Sequence, residues 1–252
     1  ETIRYDQVLT ARMLQICNSA YFALSRKVES LEDAMRYLGT LKVLQMVMAI
    51  HTNALLSKGQ EGYGLEPGML WKHSVAVALT STIFAERTRP PSLGLTFTAG
   101  LLHDIGKVVL NEYVAQEYAE IARLVSEEQF SFDQAEQKVL GSTSSEIGAR
   151  LGEKWQLPDS IVRCIRYHRA PSKLDPPDAL VDTVYLADCV CMLCGVGLGE
   201  DGLCYRADPE VMERYHLKES DLEAIGAQML MDLRRVQELF TRKGSSPMAA
   251  VL

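Results

Sequence analysis

The chain has no excess of positive charge. Its 26 lysines and arginines are outnumbered by 33 aspartates and glutamates, for a net charge of −7. That argues against a generic nucleic-acid binder, which would present a basic face or stripe. The sequence also offers no uninterrupted apolar run of the roughly 18 residues that a bilayer span requires. The longest candidate, "VDTVYLADCVCMLCGVGLG", is broken by Asp182 and Asp188. No signal peptide is visible, so a cytoplasmic location with no membrane partner is expected. Period-two alternation is absent, as is any repeat of fixed period, and neither sheets nor solenoids are expected. A second C-x-x-C is lacking as well. Cys191 and Cys194 form one such pair inside an apolar helical stretch, so the six cysteines read as reduced core thiols rather than as a zinc knuckle or a disulfide framework.

What is present is helix signal. Hydrophobic residues make up 47% and charged residues 23% of 252, enough for a sizeable core. Ser30 with Asp33 reads as a helix start and Gly39 as its end, with Thr40 opening an apolar helix. "MLWKHSVAVALTSTIFAERT" is a long helix stopped by Pro90 and Pro91. "AGLLHDIGKVVL" reads as a buried helix with His103 and Asp104 in its middle. Asp133 and Glu136 open a further helix, Thr143 with Glu146 suggests a capping box, and Pro158 precedes another start. An apolar helix is expected over 180–194, a Gly-rich turn over 195–202, and two last helices split near Leu217 with Ser220 as cap. The predicted fold is all-α, a multi-helical bundle of roughly ten or more helices. The Pro- and Gly-containing stretch at 57–68 is a candidate subdomain boundary.

Chemistry concentrates on few residues. Of five histidines, His73 lies in an apolar helix, His103 precedes Asp104, and His168 ends a helix, while Asp188 interrupts another apolar segment. Any one of these could be an ordinary core residue satisfied by a neighbour. Together they are costly to bury separately, and one shared divalent cation would account for them. Imidazole nitrogen and carboxylate oxygen suit iron, manganese, zinc or nickel.

This order, His, then His-Asp, then a distant Asp, resembles the HD superfamily, and "HDIGK" resembles its extended form with a lysine. The upstream segment "LTARMLQICNSAYFALSRKVESLEDAMRYLGTLKVLQMVMAI" is similar to the opening of an HDOD domain, and the resemblance covers residue 5 to about 195. It implies an N-terminal helical subdomain over 1–66, an HD-type helical core over 67–195, and C-terminal helices and tail over 196–252. Relatives usually carry more helices ahead of this point, so an extension before Glu1 is also an expectation. The resemblance further implies that His73, His103, Asp104 and Asp188 are ligands of a one-metal site, with His168 as an accessory. Asp104 and Lys107 are the catalytic candidates, and Lys107 with Arg169 would meet an anion. In two-metal HD-GYP relatives a histidine pair stands at His168–Arg169 and a histidine stands at Ser144; neither pattern is complete here, and the GYP element is missing. Two functions follow. The preferred one is a bacterial signal-transduction module whose partners are signalling proteins or a phosphate-containing small molecule. The alternative is a metal-dependent phosphohydrolase acting on a nucleotide or phosphoester.

Overall fold

The computed structural model describes residues 7–18, 27–128, 130–197 and 207–241. Among them are twelve α-helices: α1 (Gln7–Cys17), α2 (Leu31–Leu38), α3 (Thr40–Leu56), α4 (Met69–Thr88), α5 (Leu93–Leu102), α6 (Ile105–Glu127), α7 (Phe132–Leu140), α8 (Ser144–Lys154), α9 (Asp159–Tyr167), α10 (Ala179–Leu193), α11 (Pro209–Arg214) and α12 (Glu219–Thr241). The described residues contain no strand, only an isolated bridge between Gln60 and Leu65. The fold is all-α, as the sequence predicts.

Local chemistry sets the helix ends. The Ser30 hydroxyl accepts the Asp33 N–H at the start of α2, and Gly39 closes it at φ 82°. α7 is capped by Ser131, not by the acidic pair read from the sequence; Ser131 and Gln134 bond each other's backbone N–H reciprocally. Thr143 caps α8 by accepting from the Glu146 N–H, whereas the Glu146 carboxylate is taken by Arg150 and Arg166. Ser220 lies inside α12 and does not cap it; the Asp221 carboxylate takes the Lys218 N–H instead. Of the Gly-rich turn expected over 195–202, residues 198–202 fall outside the described residues.

Two apolar clusters form. A small one gathers Met13, Val28, Leu31, Ala34, Val43 and Val47 from α1 to α3. The large one centres on α4, which packs against α5, α10 and α12. The stretch at 57–68 is packed rather than free, since a 3-10 turn at Glu61–Tyr63 lies against α6. A Cβ at Gly62 would come within 2.5 Å of the Asn111 carbonyl.

The segment around His103 differs from a single buried helix. It breaks into α5 and α6, with His103 and Asp104 forming the turn between them. By length and hydropathy the stretch Leu93–Asn111 does reach the level of a membrane span, which no run was expected to reach. The turn interrupts it, and 61% of it is buried inside the protein.

Candidate metal centre

Four elements converge on one point. α4 contributes His73, the α5–α6 turn contributes His103 and Asp104, the end of α9 contributes His168, and α10 contributes Asp188. Each is 0–3% exposed. Glycine allows the close approach. A Cβ on Gly106 would lie 1.8 Å from the Ser144 carbonyl, so α6 and α8 meet backbone to backbone beneath the turn. His51 and His216, the remaining histidines, are exposed and play no part.

The imidazoles are held by the backbone. His73 Nδ1 lies 2.9 Å from the Val196 carbonyl, His103 Nδ1 2.7 Å from that of Gly100, and His168 Nδ1 2.8 Å from that of Ile165. A carbonyl can only accept, so each Nδ1 carries a proton, and each ring when neutral turns an Nε2 lone pair inward. His73 Nε2 and His103 Nε2 stand 3.3 Å apart. Asp188 Oδ1 is 3.0 Å from His73 Nε2, and Asp104 Oδ2 is 3.4 Å from His103 Nε2. Asp188 Oδ1 has His73 Nε2 as its nearest polar neighbour, and Oδ2 has no hydrogen-bond partner among the described residues. Asp182, one and a half turns earlier on the same helix, is a useful contrast. It too is buried, but Oδ2 is met by Arg214 and by the Tyr215 hydroxyl. Asp182 is an ion-pair residue, whereas Asp188 faces imidazole nitrogens. Lone pairs and carboxylates packed together call for positive charge between them, from protons or from a metal.

The electrostatics run the same way. Burial would lower the His73 imidazole, but the Asp188 contact and the charges of Asp188 and Asp104 outweigh it and hold the group above its ordinary value. For His103 burial prevails and the imidazole stays low. Burial would raise Asp104, yet Lys107, His103 and Arg169 keep its carboxyl well below the usual range. His73 overcomes burial at Asp188 in the same manner.

Asp104 uses its two oxygens differently. Oδ2 faces the His73–His103 pair and is also 2.7 Å from Lys107 Nζ. Oδ1 lies 3.6 Å from His168 Nε2 and 3.3 Å from an Arg169 guanidinium nitrogen. Lys107 is 2% exposed and also stands over the Tyr63 ring, 5.5 Å from its centroid. Arg169 reaches outward as well, to Asp133 Oδ1 at 2.9 Å. Ser144 turns away from the cluster; its N–H and hydroxyl both go to Glu136 Oε2, while Tyr63 donates to Glu136 Oε1 at 2.6 Å. His73, His103 and Asp104 could jointly hold a metal ion, as could His103, His168 and Asp188. Cys191 and Cys194 are no part of this: Cys191 is buried against the Thr80 hydroxyl and burial pushes its thiol up. Cys204 lies outside the described residues.

Tyr63, Asp133, Glu136 and the Val196 carbonyl are the parts that sequence reasoning did not assign to the site. Val196 precedes Gly197, whose φ is 73° and whose missing Cβ would lie 2.4 Å from the His73 Cβ. A glycine after an apolar helix was the only trace of that contact.

The HDOD domain family matches residues 1–171, and the chain belongs to that family. The structure is similar to an HDOD domain protein of unknown function from Geobacter sulfurreducens, with a TM-score of 0.76 and 30% identity over 95% of this chain and 85% of that one. It is similar in fold to a protein of Marinobacter aquaeolei VT8 provisionally named for signal transduction (TM-score 0.73, 24% identity, 94% of this chain and 52% of that one). A protein of Shewanella amazonensis SB2B provisionally named a phosphohydrolase shares the fold too (TM-score 0.69, 21% identity, 94% and 82%). A protein of Treponema pallidum (strain Nichols) is 22% identical over 191 residues, 74% of this chain; the chain spans 36% of that relative's length.

Proposed function

We propose that this HDOD chain is a regulatory module of bacterial signal transduction, working in the cytoplasm, built around a degenerate one-metal HD site. The observation that carries the reading is the closure of the site. His73, His103, Asp104 and Asp188 are all 0–3% exposed, and two basic side chains, Lys107 and Arg169, already occupy the Asp104 carboxylate. A hydrolytic centre needs an open position for water and substrate; a sealed one suits a structural or sensory ion. His73, His103, Asp104 and Asp188 would hold that ion, with His168 as accessory. Iron, manganese, zinc and nickel all fit such donors. When bound, the metal would supply the positive charge that these donors face, with Lewis acidity toward a water only where a coordination position opens. Its partners would be signalling proteins or a phosphate-containing small molecule, and the exposed Met35, Tyr37, Leu41 and Leu44 on α2 and α3 offer apolar surface for the former.

A second reading, a metal-dependent phosphohydrolase with Asp104 and Lys107 in the catalytic roles, draws support from the completeness of the four-residue set. Elemental analysis of the purified protein, run beside a screen with phosphomonoester, phosphodiester and cyclic-dinucleotide substrates, separates the two. One bound metal with no turnover supports regulation. Turnover that disappears with the metal would replace it by hydrolysis, and a chain that takes up no transition metal would refute both.

A further inference from the structure

We infer that the groove between α7, α8 and α9 binds a nucleotide-class ligand through its phosphate, with Arg169 as the wall shared between groove and metal cluster. This rests on the small-molecule side of the function proposed above and moves the anion site outward from Lys107, which is buried behind Asp104 and does not line the groove.

The groove encloses about 880 Å³, within the roughly 300–1,000 Å³ typical of small-molecule sites. In a chain of net charge −7 its lining carries five cations, Lys138, Arg150, Arg166, Arg169 and Lys173, against Asp133 and Glu146, with Glu128, Glu153 and Asp104 paired to Lys138, Arg166 and Arg169 from behind the wall. Two of the guanidinium groups are fixed in place. Arg166 is held by Glu146 at 3.0 Å and Glu153 at 2.7 Å, and Arg169 by Asp133 at 2.9 Å. The N-terminus of the 11-residue α8 opens onto the same space. Thr143 and Glu136 take up the N–H groups of Glu146 and Ser144. Ser145 also lines the groove; it is 5% exposed, and its hydroxyl has no hydrogen-bond partner among the described residues. A buried hydroxyl without a partner costs free energy unless something outside the chain meets it. A spare hydroxyl and preset guanidinium groups are the donors that phosphoryl oxygens accept from. Phe130 and Tyr167 line the groove too, so a phosphate carried on a planar, partly apolar group fits it better than free phosphate.

Titration calorimetry with ADP, GDP, adenosine and inorganic phosphate tests this on the whole chain, once metal-loaded and once after chelator treatment. Saturable binding of ADP or GDP is expected, with adenosine silent and phosphate weaker. Lys138→Ala/Arg150→Ala removes two half-exposed rim charges whose surface ion pairs matter little to the fold. It should weaken binding about ten-fold or more without lowering the melting temperature. Ser145→Val removes the unpaired hydroxyl and should weaken binding as well, and if that variant is unstable the rim variant decides alone. Absence of nucleotide binding at millimolar concentration, or binding that neither variant alters, would overturn the inference. Metal content answers separately for the cluster, so the two can fail independently.

Discussion

His73 and His103 direct their Nε2 atoms at each other across 3.3 Å, while the opposite ring nitrogen of each is tied to a backbone carbonyl, Val196 and Gly100 respectively. Neither ring can turn away without giving up a buried hydrogen bond. Two inward lone pairs so placed repel unless a proton or a metal ion lies among them. This relationship, more than the presence of histidines and aspartates, makes the point where α4, α5 and α10 meet a candidate metal centre.

Asp188 and Asp104 should therefore respond differently to substitution. The nearest polar neighbour of Asp188 is the His73 imidazole, whose Nε2 an asparagine amide can still meet, so Asp188→Asn should keep the fold and lose metal affinity by about 100-fold or more, beyond the ~10–100-fold range seen for supporting residues of metal sites. Asp104→Ala should release the metal and also leave Lys107 and Arg169 without their shared carboxylate. Leaving a buried charge unpaired costs about 3–5 kcal/mol. Metal analysis and denaturant melts of both variants check this, and unchanged metal content in both would refute the assignment.

Glu136 provides a pH test away from the ligands. Burial, with the Asp133 charge, pushes its carboxyl up to about 7, against the hydrogen bonds from Tyr63 and Ser144. The unfolded chain ionises this group near 4.3. Between those values the folded chain holds a proton that the unfolded chain has released, so stability should fall as pH rises from about 4.3 through about 7. Glu136→Gln can keep the contacts to Tyr63 and Ser144 while removing the titration. Its stability measured from pH 4 to pH 8 should fall less steeply than that of the wild type. Parallel curves would show that Glu136 ionises normally.

Backbone proximity at the site gives a third expectation. Gly106→Ala would drive a methyl to 1.8 Å from the Ser144 carbonyl, where no flexible side chain can give way. Overpacking of this kind costs about 1–3 kcal/mol or more, and because Gly106 lies between the Asp104 turn and Lys107 the loss should extend to metal affinity. Gly197→Ala would crowd His73 at a position of φ 73°; metal affinity should drop there as well. Thermal melts with and without metal distinguish the two effects, and wild-type behaviour of both variants would show that the close approaches are relaxed in solution.

The helices were legible because their signals are local. Ser30, Gly39, Thr143 and the prolines act within one turn of themselves, and the apolar spacing of α4 and α10 needs no partner to be recognised. The four candidate ligands could be read as a group because a charge inside an apolar helix is conspicuous wherever it lies. The break at His103–Asp104 was harder, since the glycines of "AGLLHDIGKVVL", Gly100 and Gly106, both lie inside helices and the turn falls between them, where the two side chains face the same interior point. Asp182 and Asp188 look alike in sequence, and only the position of Arg214 and Tyr215 separates an ion-pair residue from one facing imidazole nitrogens. Glu136 sits in an unremarkable polar helix and Asp133 lies 36 residues from Arg169 in a salt bridge. Such pairings are set by tertiary packing and leave no mark on the chain.

Arg169 decides how many cations the site can hold. Its guanidinium lies 3.3 Å from Asp104 Oδ1 and 3.3 Å from His168 Nε2, which are the two donors on the side of Asp104 away from His73. A fixed positive charge there repels a second divalent ion by roughly 4 kcal/mol per unit charge at about 4 Å and an effective dielectric near 20. Wild-type protein should accordingly bind one transition-metal ion per chain even with metal in excess, and any hydrolysis should be weak. Arg169→Ala removes the repulsion and frees the Asp104–His168 side, so its stoichiometry should rise toward two under the same conditions. Elemental analysis after gel filtration reads both proteins directly. Two metals on the wild type, with cyclic-dinucleotide cleavage at an enzyme-like rate of about 1 per second or faster, would refute both the one-metal assignment and the regulatory function proposed for the chain.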